Sequence, residues 1–127
     1  MAITQVNIGS PTNEFVFTDT AMGNTADGIK SASTVLYAVT VDNTANVAAA
    51  SYVKLYNVAS GSVVVGTTVP DEVIYVPANS IITRNFWTKA APGVTFATAL
   101  SAACLTTGGT AGATAPSSSV IVSVNYV

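Results

Sequence analysis

The chain has no histidine, a single cysteine, four basic residues and, beyond Lys89, no charged side chain at all. Charged residues make up 8% of its 127 positions, against roughly 25% in an ordinary soluble domain. Each absence removes a class of chemistry. Without histidine, the usual catalytic triads and most zinc sites are gone. Cys104 has no partner for an intramolecular disulfide. A thiol nucleophile normally needs a histidine beside it, so Cys104 reads as a small buried apolar residue. Lys30, Lys54, Arg84 and Lys89 are scattered and form no basic stripe, which excludes a nucleic-acid partner. A membrane-spanning helix needs about 20 apolar residues in a row. The best run, 94–105, is interrupted by Thr95, Thr98 and Ser101, so no membrane partner is expected. Met1-Ala2-Ile3-Thr4-Gln5 lacks the basic start and apolar centre of a signal peptide, which points to synthesis in the cytoplasm.

What takes the place of charge is Thr, Ser, Asn, Gly and Ala. Half of the residues are apolar, enough for one packed domain. Charge keeps monomers apart and soluble. The 38 charge-free residues 90–127 are therefore expected to face other subunits, with a homotrimer as the closed form.

The periodicity is that of strands. From Thr34 to Asn43, Val35, Tyr37, Val39 and Val41 alternate onto one face. Ser51 to Asn57 puts Val53 and Leu55 on one face and Tyr52, Lys54 and Tyr56 on the other. Val63–Val69, Glu72–Val76, Ile81–Thr88 and Val120–Tyr126 read as further strands, separated by turn residues such as Asp42-Asn43-Thr44 and Pro77-Ala78-Asn79-Ser80. Residues 96–105 carry alanines that suit a helix and threonines that suit a strand; the surroundings favour the strand. The expected fold is all-β: a single β-sandwich over 34–127, jelly-roll-like or immunoglobulin-like, with a loosely structured N-terminal arm or edge strand at 1–33.

Few residues suggest chemistry. Ser51 and Lys54 have the Ser-x-x-Lys spacing of some acyl-transfer enzymes, but on a strand they point to opposite faces. Asp71 and Glu72 are adjacent and diverge, whereas a general acid and base must converge. Asp19, Asn24 and Asp27 offer oxygen ligands at a spacing that matches no calcium loop. No catalytic residue, metal or cofactor is assigned. Tyr52 and Tyr56 share a face and could stack on a sugar or pack in an interface. The 106–119 loop, with Gly108, Gly109 and Gly112, reads as an exposed tip or an inter-subunit clasp. Phe15 and Phe17 form the apolar patch of the arm. These seven residues are the candidate interface or ligand contacts.

Thr34-Val-Leu-Tyr37, Val41-Asp-Asn-Thr-Ala-Asn46, Tyr52-Val-Lys-Leu-Tyr-Asn57, Thr67-Thr-Val-Pro-Asp71, Val76-Pro77, the 104–112 loop and Val124-Asn-Tyr-Val127 resemble small structural proteins of tailed bacteriophages. That resemblance spans 34–127. It implies a non-enzymatic β-sandwich of the virion, several of which are capsid decoration, or cement, proteins that form trimers on the outer head surface. The implied partners are the major capsid protein and further copies of the chain. The alternative is a tail- or fibre-associated module that binds a receptor or carbohydrate. The resemblance carries over no site residue.

Overall fold

A computed structural model describes residues 2–9, 14–87 and 92–127. The strands among them are β1 (Ile3–Gly9), β2 (Glu14–Asp19), β3 (Asp27–Lys30), β4 (Thr34–Asp42), β5 (Ser51–Tyr56), β6 (Glu72–Val76), β7 (Ile81–Asn85), β8 (Val94–Phe96), β9 (Leu100–Leu105) and β10 (Ile121–Tyr126). They form two antiparallel sheets. The larger has six strands in the order β1-β2-β10-β4-β7, with β8 also paired to β4; the smaller runs β3-β9-β5-β6. The sheets pack together as a β-sandwich, as the alternation predicts. Phe17, Leu36, Val39, Val41, Val122, Val124 and Tyr126 from the larger sheet meet Val53, Leu55, Ile74, Val76, Leu100 and Cys104 from the smaller one.

The faces of β5 and β10 follow the expected alternation. The face of β4 does not. Leu36, Val39 and Val41 are buried, while Val35 and Tyr37 are only half-buried. The cause is a bulge. Asn125 of β10 lies opposite Ala38 and Tyr126 opposite Leu36, so Tyr37 is the extra residue and the inward phase slips by one. Residues 63–69 are a second departure, because they form turns and no strand. The Val64 carbonyl accepts from the amides of Thr67 and Thr68, and the Thr68 hydroxyl accepts from the Val64 amide. Gly66 sits between them at φ 89°, which breaks extended backbone. The ambiguous segment is strand: β8 and β9 are separated by a bend at 97–98. The expected strand at Ile81–Thr88 ends at Asn85, and Thr88 lies outside the described residues.

Segment 1–33 supplies three strands. β1 edges the larger sheet, β2 lies inside it between β1 and β10, and β3 edges the smaller sheet. Phe17 enters the core from β2. The charge-free C-terminal third also has its explanation here. β9 is interior to one sheet, β10 to the other, and every residue of β9 is buried. The residues of β9 lack charge because they lie inside their own chain, whereas 106–119 and the outward positions of β10 stay exposed or half-buried.

One end of the sandwich is tied by a buried polar cluster. Asn43 donates to the carbonyls of Ala49 (3.0 Å) and Pro77 (3.1 Å). Its Oδ1 accepts from Asn46 (2.9 Å) and the Ser51 hydroxyl (2.8 Å). Asn46 in turn donates to the Ser118 carbonyl and accepts from the Ser118 amide. Three loops are thereby fixed without a charge, and the Asn43 amide has all its partners.

Candidate docking face

The outer side chains of the larger sheet stand in rows across the strands. Register places Thr4 beside Thr18, Thr18 beside Ser123, Ser123 beside Thr40, and Thr40 beside Thr83. The result is one line of hydroxyls over five adjacent strands. Thr18 and Ser123 are 3.2 Å apart, and Thr40 and Thr83 are 3.0 Å apart. A hydroxyl offers one donor and two acceptor sites, so the row keeps bonding capacity for a partner. The next row is Val6, Val16, Asn125, Ala38 and Asn85. Among the described residues, this face has charge only at opposite ends, at Glu14 on β2 and Asp42 on β4. Asp42 is held below the usual carboxylate range by hydrogen bonds from the hydroxyl and amide of Thr44. Arg84 turns the other way and pairs with Glu72 of the smaller sheet at 3.2 Å. At one margin Trp87, half exposed, packs edge-on against Tyr37 at 5.1 Å.

In the smaller sheet the outer sides of β5 and β9 are closed over by the chain's own loops. The Lys54 ammonium donates to the Ala111 carbonyl at 3.1 Å. The Ser101 hydroxyl donates to the Val58 carbonyl at 2.7 Å. The amide and hydroxyl of Thr106 both donate to the Thr114 carbonyl, which closes the 106–119 loop at its base. Lys54 and Tyr56 are fully buried beneath these loops. Burial pushes the Lys54 pKa below the usual lysine value and the Tyr56 pKa above the usual phenol value. The Tyr56 hydroxyl has no hydrogen-bond partner among the described residues.

The structure does not gather the seven sequence candidates on one surface. Tyr56 and Phe17 are buried and offer no surface contact. Phe15 is half-buried and stacks on Tyr126 at 5.6 Å, on the core side of β2. Tyr52 is flanked by the tilted ring of Tyr75 at 5.4 Å and by Gly108, where a Cβ would come within 2.8 Å of the Tyr52 ring. Gly112, at φ 93°, turns the loop against Thr107, and Gly109 stands in open space. Of the aromatic pair, Tyr75 is the exposed member; sequence reading passed over it because only register sets it beside Tyr52.

The remaining chemical candidates are also placed. Ser51 bonds Asn43 on the core side while Lys54 lies under the outer loop, so the Ser-x-x-Lys pair is split. Asp71 accepts from the Asn57 amide at 2.7 Å and Glu72 from Arg84, so the two carboxylates are engaged separately. Cys104 is a buried free thiol, and burial pushes its pKa up to about 12. Asn24 donates to the Ala113 carbonyl at 2.8 Å.

Asp19 and Asp27, by contrast, do meet. Both are buried between the sheets, and the second oxygen of each has no donor among the described residues. Burial, the hydrogen bond with Asp19 and its charge together raise the Asp27 pKa to about 7. A proton on Asp27 supplies the donor this pair otherwise lacks. No group of three or more metal-ligating side chains occurs among the described residues. No family model, curated protein or solved structure matches this chain.

Proposed function

We propose that this chain is a non-enzymatic structural protein of a virion, of the capsid-decoration kind, and that it docks through the outer face of its larger sheet. The observation that carries the reading is the contrast between the two outer faces. In one sheet the outer sides of β5 and β9 are closed over by loops, and the other presents exposed or half-buried hydroxyl, amide and small apolar side chains on five strands. A surface of this kind gains affinity from apolar burial and many short hydrogen bonds. Its contact is little screened by salt, because few charges take part. Repetition over a shell supplies avidity without strong single contacts. The resemblance of 34–127 to phage structural proteins supports the same reading, with the major capsid protein as partner and the head surface as location.

The test is binding to purified undecorated capsids. Ser123→Asp puts a carboxylate in the middle of the hydroxyl row, on an outward position of β10. Its capsid affinity should fall at least tenfold while its melting temperature stays within about 2 °C of the wild type. Undiminished binding by this variant removes the sheet face as the docking surface; no binding by the wild type removes the capsid. The receptor-module reading has one supporting observation, the exposed ring of Tyr75 beside Tyr52. Glycan-array binding that vanishes in Tyr75→Ala would favour it.

A further inference from the structure

A sheet edge carries unpaired backbone donors and acceptors, and proteins guard such edges with charge, proline, bulges or shortness. Most edges of this sandwich are guarded. β3 has four residues, a bulge between Gly28 and Lys30, and the Lys30 charge. β6 carries Glu72 and β7 carries Arg84, paired to each other. β8 has three residues. β1 is different. Its seven residues, Ile-Thr-Gln-Val-Asn-Ile-Gly, include no charge and no proline. Residues 2–6 are all exposed. The pairing with β2 is regular from Ile3 to Asn7, and the irregularity comes only at the far end.

The edge is also held in place before anything binds. The Gln5 amide donates to the Ile29 carbonyl of β3 at 2.8 Å and to the Tyr126 hydroxyl at 3.1 Å. The Ala2 carbonyl accepts from the Thr20 amide at 3.0 Å. A strand already fixed on one side loses little further freedom when its other side pairs.

We infer that β1 is a self-association edge: β1 of one copy pairs antiparallel with β1 of a second copy about a two-fold axis. The occupant follows from the strand itself. An antiparallel pair of identical strands is self-complementary under two-fold symmetry. With no charge on β1, no like charges are set opposite each other. The pairing joins two six-stranded sheets into one layer and brings the two hydroxyl faces side by side. It therefore deepens the docking reading by making the face bivalent, although the pairing itself does not require a capsid.

The test uses the isolated full-length chain. Light scattering across a range of concentrations should give a mass approaching two chains. Hydrogen exchange should show protection at alternate β1 amides, those directed away from β2. Val6→Lys, at an exposed position, sets like charges on the paired strands. It should return the protein to one chain and free those amides, with the melting temperature unchanged. A monomer or trimer at all concentrations overturns the inference. So does a dimer that survives Val6→Lys, or one whose outward β1 amides exchange freely. Protection that appears only when capsids are added also overturns it, and assigns the edge to a strand of the shell. Because no capsid enters the primary measurement, failure here is distinct from failure of the docking reading.

Discussion

The two sheets carry different outer faces on similar inner ones. In the smaller sheet, all six residues of β9 are buried, and so are five of the six in β5. In the larger sheet, β10 alternates between buried and open positions along its length. Both sheets have the same inward apolar rows, so the core does not explain the difference. The loops do. The 57–71 and 106–119 segments fold over one face, while on the other Thr4 and Thr83 are exposed and Thr18, Ser123 and Thr40 half-buried. A strand covered on both faces can hold a charge only by burying it, as β5 does with Lys54, and β9 holds none. A strand covered on one face keeps polar side chains on the other, which accounts for the Thr and Ser row. The low charge of this protein therefore has two separate causes, and only the second bears on the docking proposed above.

The largest expected effect lies where the two sheets touch, at Asp19 and Asp27. The Asp27 pKa is raised from an ordinary 3.8 to about 7 in the folded chain. Between those values the folded state holds a proton that the unfolded state has released. Stability from this group is therefore greatest below pH 4, declines as pH rises from about 4 to about 7, and is level above that. Three units correspond to at most roughly 4 kcal/mol. Asp27→Asn keeps a hydrogen-bond donor without the titration. It should flatten this part of the pH profile and be the more stable protein at pH 8, as measured by urea denaturation from pH 4 to 8. Superimposable profiles for the two proteins would show that the pair does not share a proton.

The tied end of the sandwich, where the 106–119 loop is anchored, should also be far more sensitive to polar truncation than the open face. Asn46→Ala removes the bonds to Asn43 and Ser118 and frees the end of the 106–119 loop. Leaving those buried groups unpaired should cost about 2–3 kcal/mol. Ser123→Ala on the open face should stay within about 0.5 kcal/mol. Equal losses in urea melts of the two variants would erase the distinction between the tied end and the open face.

Some of this organisation was legible in the residue order. The alternation of Val120, Val122, Val124 and Tyr126 gave both the strand and its inward face, because β10 has no irregularity until its last residue. β4 was readable as a strand but not in phase, since a bulge at Tyr37 depends on the partner strand and leaves no local mark. Val63–Val69 reads as strand by its β-branched residues, yet Gly66 and the Thr68 hydroxyl close a turn that no neighbouring strand opposes. The unbroken Leu-Ser-Ala-Ala-Cys-Leu of β9 did carry a signal. It lacks alternation, as expected of a strand buried on both faces, and there its missing charge marks burial. The hydroxyl row could not be found this way. Its members come from five strands, and only the register between strands aligns them.

The smallest expected effect concerns Lys54, the one described residue that places a charge under the covering loops. Its ammonium is desolvated, and its only hydrogen-bond partner among the described residues is the Ala111 carbonyl. Desolvation and a single neutral hydrogen bond nearly offset each other, so an apolar side chain of similar length should do as well. Lys54→Met is expected to change stability by no more than about 1 kcal/mol, in the stabilising direction if either. Lys54→Ala leaves a void beneath the loop and should cost about 2 kcal/mol. The two variants separate packing from charge. If Lys54→Met were as damaging as Lys54→Ala, the ammonium–carbonyl bond would be what holds the 106–119 loop down. If only Lys54→Ala is damaging, the stem of the side chain fills the space, and the loop closes over this sheet for the same reason the core forms.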